Sequence, residues 1–306
     1  MSESRKYDVL GIGVVAVDEL LYVDDYPPAD RKIVVRRRRR ECGGLTGTAL
    51  VAAARLGARA GYIGTLGTDD ELSQIVRRQF ESEGVDLAPC VVRSDARPYY
   101  STIIVGQDPP TRTIFSLLEG HTGADPTRPD RDVICSAAVL LIDHHAVAGT
   151  RRAVDVACEA GIPVVADFER HPGRGFDELF SRVDHPILPE RFAKEYTGTD
   201  SPVEAIKRLW TPNRRAVVVT CGARGCHYYD AATCDEPRHL PAPQVDVVDT
   251  TGCGDVFHGA YCVALAEGQD LDARVRFATI AAALKATQEG GQSGIPRREV
   301  VDQHGL

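Results

Sequence analysis

Val248-Asp249-Thr250-Thr251-Gly252-Cys253-Gly254-Asp255-Val256-Phe257-His258-Gly259-Ala260 is a polar turn that runs straight into a helix. Val256, Gly259, Ala260 and Val263 fall at helical spacing and define its buried face. Gly252 and Gly254 let the turn's backbone come close to a ligand, and the free N–H groups of a first helical turn form an anion site. Asp255 stands beside that site. A carboxylate next to an anion is electrostatically unfavourable unless it handles a proton during reaction. The plainer reading is an acidic residue stabilising a helix start. The glycines and threonines ahead of Asp255 favour the first reading.

Further glycine clusters lie upstream. Cys42-Gly43-Gly44-Leu45-Thr46-Gly47-Thr48 again leads into a helix, whose Ala49, Ala52, Ala53 and Leu56 share one face before Gly57 stops it. Taken alone, this cluster is equally a flexible turn. Thr220-Cys221-Gly222-Ala223-Arg224-Gly225 follows a buried strand, the position where α/β proteins gather ligand-binding residues. No Gly-Lys dipeptide exists, which excludes a Walker-A phosphate loop. Gly11-Ile12-Gly13-Val14-Val15-Ala16 fits the dinucleotide fingerprint in letters only. Residues 14–23 are β-branched and run to the Pro27-Pro28 turn, where that fingerprint requires a helix.

Around these clusters the pattern alternates. Strands are expected at Tyr7–Gly13, Val14–Val23, Ala60–Thr65, Ala138–Asp143, Ile162–Asp167 and Ala216–Cys221. Helices are expected at Asp69–Ser82, Ala148–Ala160, Ser201–Trp210, Gly254–Glu267 and Leu271–Thr287. Lys32–Arg40 reads as extended, and Tyr99–Val105 with Arg112–Leu118 as a hairpin around Gln107-Asp108-Pro109-Pro110. This order predicts an α/β fold with a mostly parallel sheet covered on both faces. With no linker and no repeat, residues 1–306 read as one domain carrying β-rich excursions at 14–40 and 99–118.

Composition narrows the function classes. A chain of 306 residues that is 43% hydrophobic and 26% charged is globular rather than disordered. Its 36 basic against 44 acidic residues give a net charge of −8, which disfavours binding nucleic acid through general phosphate attraction. Nine scattered cysteines, an odd number, exclude a full disulfide framework and point to reduced thiols in a cytoplasmic protein. No apolar run suits a signal peptide or a membrane span, so no membrane partner is expected. The run Arg36–Arg40 reads as a solvated edge strand, with Arg36, Arg38 and Arg40 on one face and Arg37 and Arg39 on the other. His144-His145 ends a strand without a third metal ligand nearby.

Taken together, these residues resemble the ribokinase-like carbohydrate kinases over nearly the whole chain. Asp249-Thr250-Thr251-Gly252-Cys253-Gly254-Asp255 is similar to that family's C-terminal signature D-T-x-G-A-G-D. Gly43-Gly44 followed by Ala52-Ala53-Ala54-Arg55-Leu56-Gly57 resembles its di-glycine signature, and Thr220-x-Gly222-x-x-Gly225 its nucleotide-binding turn. The resemblance implies a three-layer αβα core with a small β-sheet lid built from the two excursions. It implies transfer of the γ-phosphoryl group of ATP to a sugar hydroxyl, with Mg²⁺ across the phosphates. Asp255 then takes the acceptor proton, and the N–H groups of Gly252, Cys253 and Gly254 hold the phosphoryl charge. Asp18, Gly43, Gly44 and Thr48 would line the sugar pocket, and Thr220, Gly222 and Gly225 the ATP site. Asp249 and Thr251 match positions that bind a monovalent cation such as K⁺ in many members, helped by the loop at 290–294. A homodimer formed through the lid is also implied.

The chain departs from the pattern in places. Thr48 stands where the family commonly has Asn, Cys253 replaces the usual alanine, and the N-x-x-E motif linked to Mg²⁺ survives only as Glu190. The segments 245–260 and 290–296 look most like the sulfofructose kinase and ketohexokinase branches, which points to a ketose or ketose derivative. A nucleoside kinase or an inactive sugar-binding regulator are the other readings, and an intact Asp255 speaks against the regulator. Lys32 and Arg112 put cations on the two lid segments. If they face the sugar, the acceptor carries an anionic group away from its reacting hydroxyl.

Overall fold

The computed structural model describes residues 5–107, 110–233 and 235–304. The first apolar run forms β1 (Tyr7–Ile12), the β-branched segment forms β2 (Ala16–Val23), and most of the arginine run lies in β3 (Arg37–Gly43). Helix α1 (Leu45–Arg55) starts directly after the glycine pair and buries Ala49, Ala52 and Ala53. Next come β4 (Ala60–Tyr62), β5 (Thr65–Gly67), α2 (Glu71–Glu83) and β6 (Val91–Arg93). The start of α2 is fixed by Asp70, whose carboxylate accepts from Ser73 N–H at 2.7 Å. A hairpin of β7 (Tyr99–Gln107) and β8 (Pro110–Leu117) follows; the expected tip includes residues 108 and 109, which lie outside the described residues.

The remainder alternates: α3 (Arg131–Cys135), β9 (Ala137–Asp143), α4 (Val147–Glu159), β10 (Val164–Asp167) and α5 (Phe176–Phe180). Then come β11 (His185–Pro189), α6 (Glu190–Thr197), α7 (Pro202–Leu209), β12 (Val217–Thr220), β13 (Cys226–Tyr229) and β14 (Arg238–Leu240). The chain closes with α8 (Cys253–Ala266), α9 (Leu271–Ala286) and α10 (Arg298–His304).

Eight strands form the main sheet in the order β14-β13-β12-β11-β10-β9-β1-β4. Pairing is parallel from β4 to β12 and antiparallel for β13 and β14. Alternate residues feed different cores, as the period of a strand requires. Val9, Val139, Leu141, Val165, Ile187 and Val218 pack on the side of α1, α8 and α9. Leu10, Leu140, Ile142, Val164, Leu188 and Val219 pack on the opposite side. The result is the expected αβα sandwich. Because the chain passes from β1 to β4 on one side and later to β9 on the other, strand order reverses between β1 and β9. Ligands of open α/β sheets bind at the carboxyl ends beside such a reversal.

The second sheet has the order β3-β2-β7-β8 and is built from the two expected excursions. The arginines alternate as predicted, but they are paired rather than merely solvated. Arg38 and Arg40 both meet Glu19, at 3.0 and 2.9 Å, while Arg37 and Arg39 both turn to Glu289, at 2.7 and 3.9 Å. Arg36 pairs with Asp24 at 2.5 Å. The extended segment begins at Arg37, not at Lys32: residues 32–35 form no strand, and Lys32 is exposed. Without a neighbouring strand to pair with, that stretch has no ladder to hold it extended. The strand after the Gly11–Ala16 fingerprint, in place of a helix, matches the reading that set aside a dinucleotide site. Among the described residues, the cysteines are all free thiols and no helix is long and apolar enough to cross a membrane.

Candidate active site

Helix α8 carries the turn at residues 249–254 to the carboxyl ends of the central strands. Gly252 is the residue before the helix and has φ of 78°, a left-handed conformation that favours glycine. A side chain on Gly254 would meet no protein atom within 4 Å, so its absence leaves open space above the turn. Among the described residues, the N–H groups of Gly252, Gly254 and Asp255 find no protein acceptor, whereas that of Cys253 turns back to Thr250 O at 3.3 Å. The N–H groups left free at this turn are thus those of Gly252, Gly254 and Asp255. Cys253, expected to contribute its N–H, is drawn into the turn instead. Burial pushes its thiol up to about 11, so it is an inert space-filler at neutral pH.

Asp255 lies in the first turn of α8, within electrostatic reach of three other carboxyls. Burial raises its pKa well above the ordinary carboxylate range, and Glu169, Asp143 and Asp18 push it the same way, while Arg112 opposes them. Asp167 is raised as well, by burial first and then by the charge on Asp255. Asp143 is different. Burial works against its charge, but donors from every side hold its pKa below the usual value. Val14 N–H and Thr46 Oγ1 donate to its Oδ2 at 2.6 and 2.9 Å, and His145 N–H donates to Oδ1 at 2.9 Å. His258 steadies the same turn from below, its ring nitrogens lying 2.8 Å from Gly254 O and 3.0 Å from Ile187 O.

The di-glycine pair lies between the second sheet and α1. A Cβ on Gly43 would collide with Asp18 Oδ2, and Gly44, at φ of 88°, passes close over Val14 O. Gly44 therefore requires glycine, while a side chain at Gly43 would displace the Asp18 carboxylate. Asp18, on β2 opposite Glu41 and Ser101, has its pKa raised by burial to about 6, against a hydrogen bond with Ser101 that lowers it. Thr48 is buried, and its methyl group lies against Gly252, where a side chain on that glycine would meet it.

Arg112, on β8, crosses to the turn at 249–254 and donates from Nη1 to Thr251 Oγ1 at 2.9 Å. Of the two lid cations named from sequence, it alone reaches the site. Thr220 ends β12, and the short turn Gly222–Arg224 follows it. Gly222 has open space around its Cβ position, while a Cβ on Gly225 would collide with Leu240 O, so Gly225 serves the packing of β14. Glu190 starts α6 at the end of β11 and makes an ion pair with Arg224 of that turn. Mg²⁺ bound to phosphates needs only one or two carboxylates from the protein, and Glu190 beside this turn fits that demand once Arg224 releases it. The side-chain oxygens of Asp249 and Thr251, expected to hold a monovalent ion, each have a protein donor in this arrangement. Asp249 Oδ1 accepts from Thr251 N–H at 2.8 Å and Oδ2 from Gly290 N–H at 2.9 Å, and Thr251 Oγ1 is taken by Arg112.

Sequence reasoning passed over Asp143, Asp167 and Glu169. Their signal was present: two apolar runs each end in Asp, and Glu169 follows two residues after the second.

The model of the pfkB family carbohydrate kinases matches residues 9–298. The ribokinase of Haemophilus influenzae is 26% identical over 94% of this chain and 95% of its own length. Fructokinase-1 of Oryza sativa subsp. japonica is 27% identical over 83% of this chain and 85% of its own. The structure of Arabidopsis thaliana ribokinase complexed with ribose and ATP superposes with a TM-score of 0.84, at 20% identity, covering 96% of this chain and 97% of that one, and shares the fold. The chain belongs to the pfkB family of carbohydrate kinases, ATP-dependent phosphotransferases that act on a sugar hydroxyl.

Proposed function

We propose that this kinase transfers the γ-phosphoryl group of ATP to a hydroxyl of a ketose or ketose derivative, with Asp255 as the general base. The observation that carries the reading is Asp255 beside three N–H groups that have no protein acceptor, at the start of α8. As the sugar oxygen attacks the γ-phosphorus, its proton passes to the Asp255 carboxylate and the bond from phosphorus to the bridging oxygen of ADP breaks. A carboxyl with a raised pKa is well matched to this task near neutral pH. The donors of Gly252, Gly254 and Asp255, with the dipole of α8 behind them, hold the charge on the equatorial oxygens. Arg112 adds a guanidinium at the same end of the cleft. Mg²⁺ arriving on ATP would neutralise phosphate charge, with Glu190 as its protein carboxylate.

Asp18 and the bare backbone of Gly43 and Gly44 form the sugar-binding floor, and Thr220 and Gly222 the nucleotide side. The second sheet serves as lid within a single kinase unit. Its edge strand β8 exposes Ile114, Phe115 and Leu117, with Leu118 beyond it, each about half accessible, and a second copy pairing there would cover them. Arg112 serves the phosphoryl end, and exposed Lys32 gives no support for an anionic acceptor. The test is an ADP-release screen over neutral and phosphorylated ketoses, aldoses and nucleosides. Turnover on a ketose supports the reading, and turnover confined to nucleosides overturns it.

A further inference from the structure

Lys285 is the one lysine buried in the core: on the last turn of α9, it is fully inaccessible to solvent. Its Nζ donates to the backbone carbonyl of Asp249 at 2.7 Å. The same end of α9 grips the turn at two more points, since Ala286 O accepts from Val248 N–H at 2.8 Å and from Asp249 N–H at 3.1 Å. The turn that carries the phosphoryl-holding donors is therefore fastened to α9 by an ammonium and a carbonyl. A cation is favoured at a helix C-terminus, and burial of one requires partners. Asp249 and Glu41 supply negative charge around it against the cost of its burial. Glu41 also accepts from Gly291 N–H at 2.9 Å, so the loop at 290–294 closes over the same spot.

An ammonium is close to K⁺ in size and charge. Here it lies on the backbone oxygen of Asp249, where the resemblance places a bound monovalent ion, and the carboxylate oxygens of Asp249 and the hydroxyl of Thr251 already have donors. We infer that Lys285 is a tethered cation that orders the catalytic turn, so that this kinase does not need a monovalent ion. It is a positioning residue, acting through the Asp249 carbonyl on Gly252 and Gly254. The inference rests on the kinase reading of that turn.

The experiment compares wild type, Lys285→Ala and Lys285→Met in KCl, NH₄Cl and tetramethylammonium chloride at matched ionic strength, reading both melting temperature and steady-state rates. Wild type is expected to melt at the same temperature and turn over at the same rate, within about twofold, in all three salts. Lys285→Ala is expected to lose roughly tenfold or more in kcat in tetramethylammonium, a positioned charge-assisted hydrogen bond being worth about 1.4 kcal/mol or more. It should recover activity and gain melting temperature in K⁺ or NH₄⁺, whose ions fit the vacated space. Lys285→Met fills that space with an apolar chain and should not recover. Activation of wild type severalfold by K⁺ overturns the inference, even if both variants fail to fold. So does a Lys285→Ala protein that is folded and indifferent to the salt. Because the melting readout needs no acceptor sugar, failure of the kinase reading shows separately, as the absence of turnover on every sugar.

Discussion

Asp143 and Asp167 are register partners on the neighbouring parallel strands β9 and β10, and they hold opposite protonation tendencies. Asp143 is surrounded by donors from Val14, Thr46 and His145 and stays charged. Asp167 lies in the same buried layer, has an Oδ2 with no hydrogen-bond partner, and resists losing its proton. The charged member is one of the groups that keep Asp255 basic. The sheet thus fixes the electrostatics of the helix packed above it.

The raised pKa of Asp255 sets a stability signature. A carboxyl whose pKa is higher folded than unfolded leaves its stabilising share intact below the unfolded value, near 4, and loses it as pH rises through the folded value. Asp255→Asn should therefore melt higher than wild type at pH 8, with the gap closing toward pH 4. Thermal melts across that range check it; a variant less stable than wild type at pH 8 contradicts it.

Asp18 titrates near 6, within reach of ordinary assay conditions. As pH falls through that value, KM for the sugar should rise while KM for ATP holds. Asp18→Asn should bind sugar weakly at every pH and lose this limb. A sugar KM that is flat from pH 8 to 5 in wild type would remove Asp18 from the pocket.

Arg112 lowers the pKa of Asp255 and holds Thr251. Arg112→Ala should reduce kcat by roughly tenfold, the scale of a lost hydrogen bond to a charged group, and shift the acid limb of the rate profile to higher pH. Lys32→Ala, on an exposed residue outside the strands, should match wild type in both. Equal profiles for the two variants would place Arg112 outside the reacting end.

Glycine substitutions separate folding from chemistry. Gly43→Ala drives a methyl group into Asp18 and should lower both melting temperature and sugar affinity. Gly254→Ala meets no protein atom, so it should fold normally and lose turnover because the methyl group occupies the space left for the phosphoryl group. Unimpaired turnover in Gly254→Ala would show that the turn does not contact the transferring group.

The fold was legible where one periodicity ran unbroken, as in α1, β9, α8 and α9. It was hidden where the chain was short or mixed. His185–Pro189 is a strand with His and Pro at its ends, and burial between β10 and β12, not local propensity, makes it one. Cys226–Tyr229 and Arg238–Leu240 are antiparallel additions at the sheet edge, stabilised by pairing with a neighbour distant in sequence. At the site, the turn 249–255 and the di-glycine pair stood out because glycine and a helix start leave local traces. Asp143, Asp167 and Glu169 left only strand-end carboxylates, since what unites them is strand order, a long-range property. Lys285 leaves no trace in the sequence beyond its place near the end of a helix, because its partner, the Asp249 carbonyl, is 36 residues away along the chain.

The central claim is that Asp255 accepts the proton of the attacking hydroxyl. The most direct measurement is the turnover of Asp255→Asn by coupled ADP release on the sugar that wild type uses best, with ATP binding measured alongside. The account predicts unchanged ATP affinity, an intact fold and a loss of about 10²–10⁴ in kcat. Turnover within a few-fold of wild type, with the fold and ATP binding intact, would contradict it.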